Sequence, residues 1–292
     1  MTLRPRRSVL YMPGSNARAL DKAKQLPADA LILDLEDAVA PDAKVTAREQ
    51  VTKAVRDGGY GKRELIIRVN TLDTQWGAED IAAAAAAGPD GVLLPKVSGP
   101  ADIQQVTDAL RRAGAPEKTK LWAMIETPVG IVHAPQIAAT ARQAGGRLAC
   151  FVLGLNDLHK ETRAEVMPDR QSAIYWLSAC ITAARAYGVD ILDSVFNNFR
   201  DVEGYRRECV QGRQLGFDGK TLIHPDQIAA ANEVFSPSEA EVAAARKIVA
   251  AFELPENKGK GVINLDGRMV ELLHAEMAKR TVAIADAIAA MA

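Results

Sequence analysis

The chain has 292 residues, long enough to bury a large core as one barrel or as two ordinary domains. With 36 basic against 37 acidic residues it has no bulk attraction for nucleic acid or for an anionic membrane, so small-molecule chemistry or protein assembly is expected. Its three cysteines, Cys150, Cys180 and Cys209, lie far apart with no CxxC pair, which argues against a disulfide framework or a zinc cluster and for a reducing cytoplasm with the thiols as core filler.

Met1 to Arg7 is basic but runs straight into the strand-like Ser8-Val9-Leu10-Tyr11, unlike a signal peptide, and no apolar run reaches membrane-spanning length. Short apolar runs then alternate with longer Ala-rich segments. The strands are expected at Ser8 to Met12, Ala30 to Leu35, Leu65 to Val69, Gly91 to Leu94, Leu121 to Ile125, Cys150 to Leu153, Asp190 to Asp193 and Asp218 to Ile223. Eight βα units without a Gly-rich nucleotide fingerprint predict an α/β fold of the (β/α)8 TIM-barrel type rather than a doubly wound sheet.

The barrel domain is expected over residues 1–253, including an Ala-rich helix from Glu239 to Phe252. Leu254 to Gly261 reads as a linker into a C-terminal segment, 254–292, made of a short extended stretch, the turn Asp266-Gly267 and a last helix from Val270 to Ala290. That segment is too small to fold alone and is expected to pack on the barrel or on a neighbouring subunit.

The polar residues of interest end the predicted strands: Asp34, Glu36, Asp37, Arg68, Asn70, Lys96, Glu126, Asn156, Asp157 and Asp193. In a barrel those ends converge on one face, where the βα loops build the active site. Glu126 and Asp157 close successive strands, and two such carboxylates suit a hard, oxygen-loving cation such as Mg2+; a loop cap and a salt bridge would also account for them. His159, close by, is expected to be a surface or packing residue. Arg68 ends an apolar strand and must find an anion, either a substrate carboxylate or one of Asp34, Glu36 and Asp37. Three acids in four residues should raise at least one carboxyl pKa unless Arg68, Lys44, Arg48 or a metal offsets them.

Pro13-Gly14-Ser15-Asn16, followed by Arg18, Lys22 and Lys24, offers backbone donors and cations that can hold phosphate groups; a solvated helix face is the more common explanation of such a pattern. His224 has no partner visible in the sequence and is expected to pack or cap.

Taken together, Arg7-Ser8-Val9-Leu10-Tyr11-Met12-Pro13-Gly14, Leu33-Asp34-Leu35-Glu36-Asp37-Ala38-Val39, Arg68-Val69-Asn70, Leu94-Pro95-Lys96-Val97 and the run from Gly216 to Pro225 resemble the citrate lyase β-subunit-like CoA-ester lyases among the HpcH/HpaI-type aldolases. The resemblance implies a TIM barrel assembled as homotrimers or hexamers, in which the C-terminal segment covers a neighbour's active site. Glu126 and Asp157 match magnesium ligands, and Arg68 matches the arginine that binds the substrate's carboxylate or carbonyl. Asp37 stands where related pyruvate aldolases carry a histidine, which points to thioester chemistry. Where those lyases place a C-terminal aspartate that serves as acid or base in the adjoining subunit, this chain has Glu271, and Glu271-Leu272-Leu273-His274 looks more like the (3S)-malyl-CoA thioesterases.

The expected function is therefore magnesium-dependent carbon-carbon cleavage of a malyl-CoA or citramalyl-CoA type thioester, with thioester hydrolysis as runner-up and a non-catalytic acyl-CoA-binding scaffold as a third reading. Arg68, Glu271 and Asp37 are the expected catalytic residues. Arg68, Arg18, Lys22 and Asp193 are the expected substrate contacts.

Overall fold

The computed structural model describes residues 3–291. Residues 6–232 form one compact unit, a closed barrel of eight parallel strands in sequence order. The strands are β1 (Ser8–Pro13), β2 (Ala30–Asp34), β3 (Glu64–Arg68), β4 (Gly91–Leu94), β5 (Lys120–Ile125), β6 (Leu148–Leu153), β7 (Asp190–Asp193) and β8 (Gly219–Leu222), and β8 closes the ring by pairing in parallel with β1. All eight fall where the alternation of β-branched runs and Ala-rich segments places them.

The interior is filled by inward-facing residues of successive strands, among them Val9, Ile32, Ile66, Leu93, Trp122, Val152 and Leu192. Cys150, Cys180 and Cys209 are free and buried, as core filler. The connecting helices are α1 (Ala17–Lys22), α2 (Lys44–Asp57), α3 (Gly77–Ala87), α4 (Pro100–Arg112), α5 (Pro128–Val132), α6 (Ala134–Ala139), α7 (Leu155–Thr162), α8 (Ile174–Tyr187), α9 (Val202–Leu215) and α10 (Ile228–Phe235). Among the described residues no helix is long and apolar enough to cross a membrane.

Register decides which side chains meet at the carboxyl face. Pro13 pairs with Asp34 and Asp34 with Arg68, so the acid and the arginine are placed side by side by adjacent strands. The chain leaves β1 through Gly14, whose N–H donates to the Asp34 carbonyl at 2.9 Å; a Cβ there would lie 2.4 Å from that oxygen, so only glycine permits the approach.

Residues 233–291, with residues 3–5, group as a second compact unit. It holds α11 (Glu239–Glu253), an antiparallel hairpin of β9 (Val262–Leu265) and β10 (Arg268–Glu271), and α12 (Leu272–Met291). Ser238 caps α11 in a capping box with Glu241. The hairpin turns on Asp266 and Gly267, both with positive φ (54° and 78°), as a two-residue turn between right-twisted strands requires. α11 turns Ile248, Ala251 and Phe252 toward Ile263, Leu265 and Val270 of the hairpin, and its Arg246 is paired with Asp286 of α12 at 2.5 Å. The apolar periodicity of Glu239 to Phe252 thus serves this small core. Met269, Leu272, Leu273 and Met277 remain more than half exposed.

Candidate active site at the carboxyl ends of the strands

The ends of β2 and β3 build a locked ionic lattice. Arg68 donates from Nε and Nη2 to the two oxygens of Asp34, both at 2.6 Å, a bidentate fit. Its Nη1 lies 2.9 Å from Glu36 Oε2, off the line of a hydrogen bond, and 3.5 Å from Asp37, while the Tyr11 ring stacks on the guanidinium at 4.9 Å. Asp34 also accepts the N–H groups of Glu36 and Ala38, which folds the acidic loop back over the strand end. From below, the buried Lys44 donates to the carbonyls of Leu35 and Glu36 and to Asn70 Oδ1, at 2.7–2.8 Å. Lys44 therefore holds the backbone of the loop that carries the acids, and Arg48 pairs with Asp80 and Glu79.

Burial, opposed by Arg68 and reinforced by Asp37 and Asp34, pushes the Glu36 carboxyl up to about 7, the perturbation expected for three crowded acids. Asp37 is the exposed member of the trio, its side chain 61% accessible.

Glu126 follows β5 and is 1% exposed. Its Oε1 accepts the Lys96 N–H at 2.8 Å, whereas its Oε2 is buried without a hydrogen-bond partner. Burial pushes this carboxyl up to about 8; the Lys96 N–H works against the shift and Asp157 adds to it. Asp157, half-buried, sits in the first turn of α7. Lys96 takes a left-handed backbone (φ 54°), uncommon for a side chain of its length, and has an exposed side chain. Although burial disfavours its charge, Asp157, Glu36 and Glu126 hold its ammonium pKa above the ordinary value.

Space for the Glu126 carboxylate comes from Gly154, where a Cβ would stand 2.6 Å from Oε2 and 2.5 Å from Glu126 Cβ. A buried oxygen lacking a donor, beside a second carboxylate, fits a small divalent cation that binds oxygen and keeps several waters. Among the described residues no three His, Cys, Asp or Glu side chains cluster as a fuller ligand set. His159 packs edge-on against Trp176, ring centroids 5.3 Å apart, as a packing histidine should.

The remaining expected site residues divide. Asp193 is fully buried, with its carboxylate taken up by Arg170 at 2.7 and 2.8 Å, Lys220 at 3.2 Å and the Ser194 N–H at 2.8 Å, so its lone pairs are spent inside the fold. Asn70 is likewise occupied by Leu35, Asp80 and Lys44. Arg18 and Lys22 are exposed on α1 and form no ion pair among the described residues. Asn156 exchanges hydrogen bonds with Asn197. His224 caps a short helical turn through Nδ1 and stacks on Phe199. Glu271 ends β10 in the second unit, its N–H held by His274 Nδ1.

Sequence reasoning did not single out Tyr11, Gly154, Ser194, Arg170 or Lys220. Only Gly154, three residues before Asp157, carried a usable signal, because a strand-end glycine marks a close approach.

A family model described as HpcH/HpaI aldolase/citrate lyase matches residues 7–225. The chain is 50% identical over 286 residues to a (3S)-malyl-CoA thioesterase of Cereibacter sphaeroides, covering 98% of this chain and 96% of that one. It is 38% identical over 289 residues to a citrate lyase subunit beta of Leuconostoc mesenteroides, covering 97% and 94%. Among solved structures, the protein CitE from Mycobacterium tuberculosis in complex with magnesium, acetoacetate and coenzyme A superposes with a TM-score of 0.73 at 29% identity, covering 96% of this chain and 98% of that one. The chain belongs to the HpcH/HpaI aldolase/citrate lyase family of enzymes.

Proposed function

We propose that the chain is a magnesium-dependent enzyme of malyl-CoA type thioesters, and that it hydrolyses the thioester bond. The observation that carries the site is the buried, unmatched Oε2 of Glu126 beside Asp157, on a face that also presents Arg68. Hydrolysis is favoured by the 50% identity to a (3S)-malyl-CoA thioesterase over 98% of the chain, which puts it ahead of the carbon-carbon cleavage expected first from sequence. The second reading, retro-Claisen cleavage to an acyl-CoA and a 2-oxo acid, draws on the same acid pair and on the 38% identity to a citrate lyase subunit beta.

Magnesium on Glu126 and Asp157 would supply a Lewis acid for the substrate's hydroxyl and carboxylate oxygens. Arg68, fixed by Asp34 and Tyr11, offers Nη1 to the oxygen that gains negative charge, without reorganising as it does so. In hydrolysis Glu271 of a second copy of the chain takes a proton from water as the water oxygen joins the thioester carbon, and returns that proton to the sulfur as the carbon-sulfur bond breaks, so that CoA leaves as the thiol. In the lyase reading the hydroxyl proton passes to Asp37, and Glu271 protonates the CoA-ester enolate. Arg18 and Lys22 meet the CoA phosphates. Asp193 serves the substrate indirectly, by holding the β7 end. The enzyme is read as a cytoplasmic homotrimer or hexamer with shared sites.

Incubation with (S)-malyl-CoA and Mg2+ separates the readings: free CoA and malate support hydrolysis, and acetyl-CoA with a 2-oxo acid supports the lyase. Neither product from folded protein would overturn both. Mixing Arg68→Ala with Glu271→Ala chains should recover activity if sites are shared, and no recovery would refute sharing.

A further inference from the structure

The helix that presents Asp157 starts without a cap of its own. At the N-cap of α7, where Ser, Thr, Asp or Asn would normally accept a free N–H, stands Gly154, which has no side chain to offer. Glycine is imposed there by Glu126, whose carboxylate occupies the space of any Cβ. The first N–H of the helix, that of Leu155, is instead satisfied from the next strand: it donates to Ser194 Oγ at 3.0 Å.

Ser194 directly follows β7 and is 1% exposed. Its own N–H is fixed on Asp193 Oδ1 at 2.8 Å, and Thr221 Oγ1 of β8 donates to the Asp193 carbonyl at 3.0 Å. With Arg170 and Lys220 gripping the Asp193 carboxylate, a continuous run of short bonds leads from β8 through β7 to the turn that carries Asp157.

We propose that Ser194 is a positioning residue for the metal site: a helix cap supplied by the neighbouring strand, which holds the first turn of α7 so that Asp157 and Glu126 address one ion. The proposal rests on reading those two acids as the magnesium ligands. The arrangement lets Glu126 keep its space at Gly154 without leaving the start of α7 loose. The hydroxyl's role is to accept one N–H, so a threonine serves and an alanine does not.

The test is direct metal binding, by calorimetry with Mg2+ and with Mn2+ as a spectroscopic probe, on the intact protein and on Ser194→Ala, Ser194→Thr and Asp157→Asn. Ser194→Ala should weaken metal binding on the order of tenfold to a hundredfold, the usual effect of losing a group that orients a ligand. Its kcat should recover at saturating Mg2+, so that the loss lies in the KM for the metal, and Ser194→Thr should restore affinity. Should Ser194→Ala fail to fold, Ser194→Cys, equal in shape but a poor acceptor, carries the same expectation. Wild-type affinity in the folded alanine or cysteine variant, with binding lost in Asp157→Asn, overturns the proposal and leaves the ligand assignment standing. Wild-type affinity in Asp157→Asn overturns the ligand assignment itself.

Discussion

Two buried carboxylates on one barrel have opposite fates. Asp193, at the end of β7, is surrounded by Arg170 and Lys220; burial alone would raise its pKa, but Lys220 and Arg170 outweigh it and hold the carboxyl below its ordinary range. Glu126, at the end of β5, has one backbone N–H and a second acid for company, and burial lifts it to about 8 against the opposing but insufficient pull of the Lys96 N–H and Arg68. Both are nearly inaccessible to water. Matched charge turns the first into a fastener, whereas missing charge makes the second a candidate place for a cation.

The largest expected effect breaks the matched cluster. Lys220, fully buried, is 3.2 Å from Asp193 and 2.6 Å from Glu208, and Lys220→Met removes the short partner of Glu208 and leaves Arg170 as the one cation on Asp193 among the described residues. Removing one partner of a buried pair should destabilise the fold by about 3–5 kcal/mol. Urea denaturation with circular dichroism measures it, and a change below about 1 kcal/mol would contradict the fastener reading.

Glu126→Gln should do the reverse. Activity with Mg2+ should fall on the order of a thousandfold, equivalent to about 4 kcal/mol of transition-state stabilisation, while metal-free stability near neutral pH is unchanged or rises. The pH profile sharpens the contrast. Because Glu126 in the folded chain keeps its proton to about 8 and an unfolded glutamate loses it near ~4.3, the native state binds more protons across that window, and the metal-free protein should lose stability as pH rises through it. The Glu126→Gln variant should lack that component. Asp193 has the opposite sign: its contribution is present above the ordinary aspartate value and is lost as pH falls through its depressed one. Urea melts at stepped pH on both proteins read the difference.

Gly154→Ala probes the same site by volume. The added methyl meets Glu126 Cβ at 2.5 Å and Oε2 at 2.6 Å, so the carboxylate must move. A displacement near ~1 Å should lower activity about a hundredfold, with a stability loss of about 1–3 kcal/mol. Unchanged kinetics would mean that Glu126 is not tightly placed. The smallest effect is expected at the exposed Asn156 and Asn197 pair, where Asn156→Ala should shift stability by no more than about 0.5 kcal/mol.

The barrel was legible because period and composition act locally: β-branched runs such as Leu65-Ile66-Ile67 and the Ala-rich stretches between them mark their own positions. The convergence of Asp34, Arg68, Glu126 and Asp157 followed from chain order, since a parallel barrel brings all strand ends to one face. What stayed hidden depends on contacts between distant segments. Arg170, in the loop after α7, reaches Asp193, and no local pattern announces that pairing, so Asp193 looked as available as Glu126. Lys44 stood in the sequence as one of several groups able to offset the acids; its ammonium in fact hydrogen-bonds the carbonyls of Leu35 and Glu36, a distinction that needs side-chain direction. The unmatched oxygen of Glu126 is a property of burial, and sequence does not state burial atom by atom.

The edge-on contact of His159 with Trp176 ties α7 to an indole on α8. Asp157 lies two residues before that histidine, so any shift of its turn on ion binding changes the surroundings of a natural fluorophore. The chain thus carries a built-in optical reporter on the helix that presents an acid of its candidate metal site.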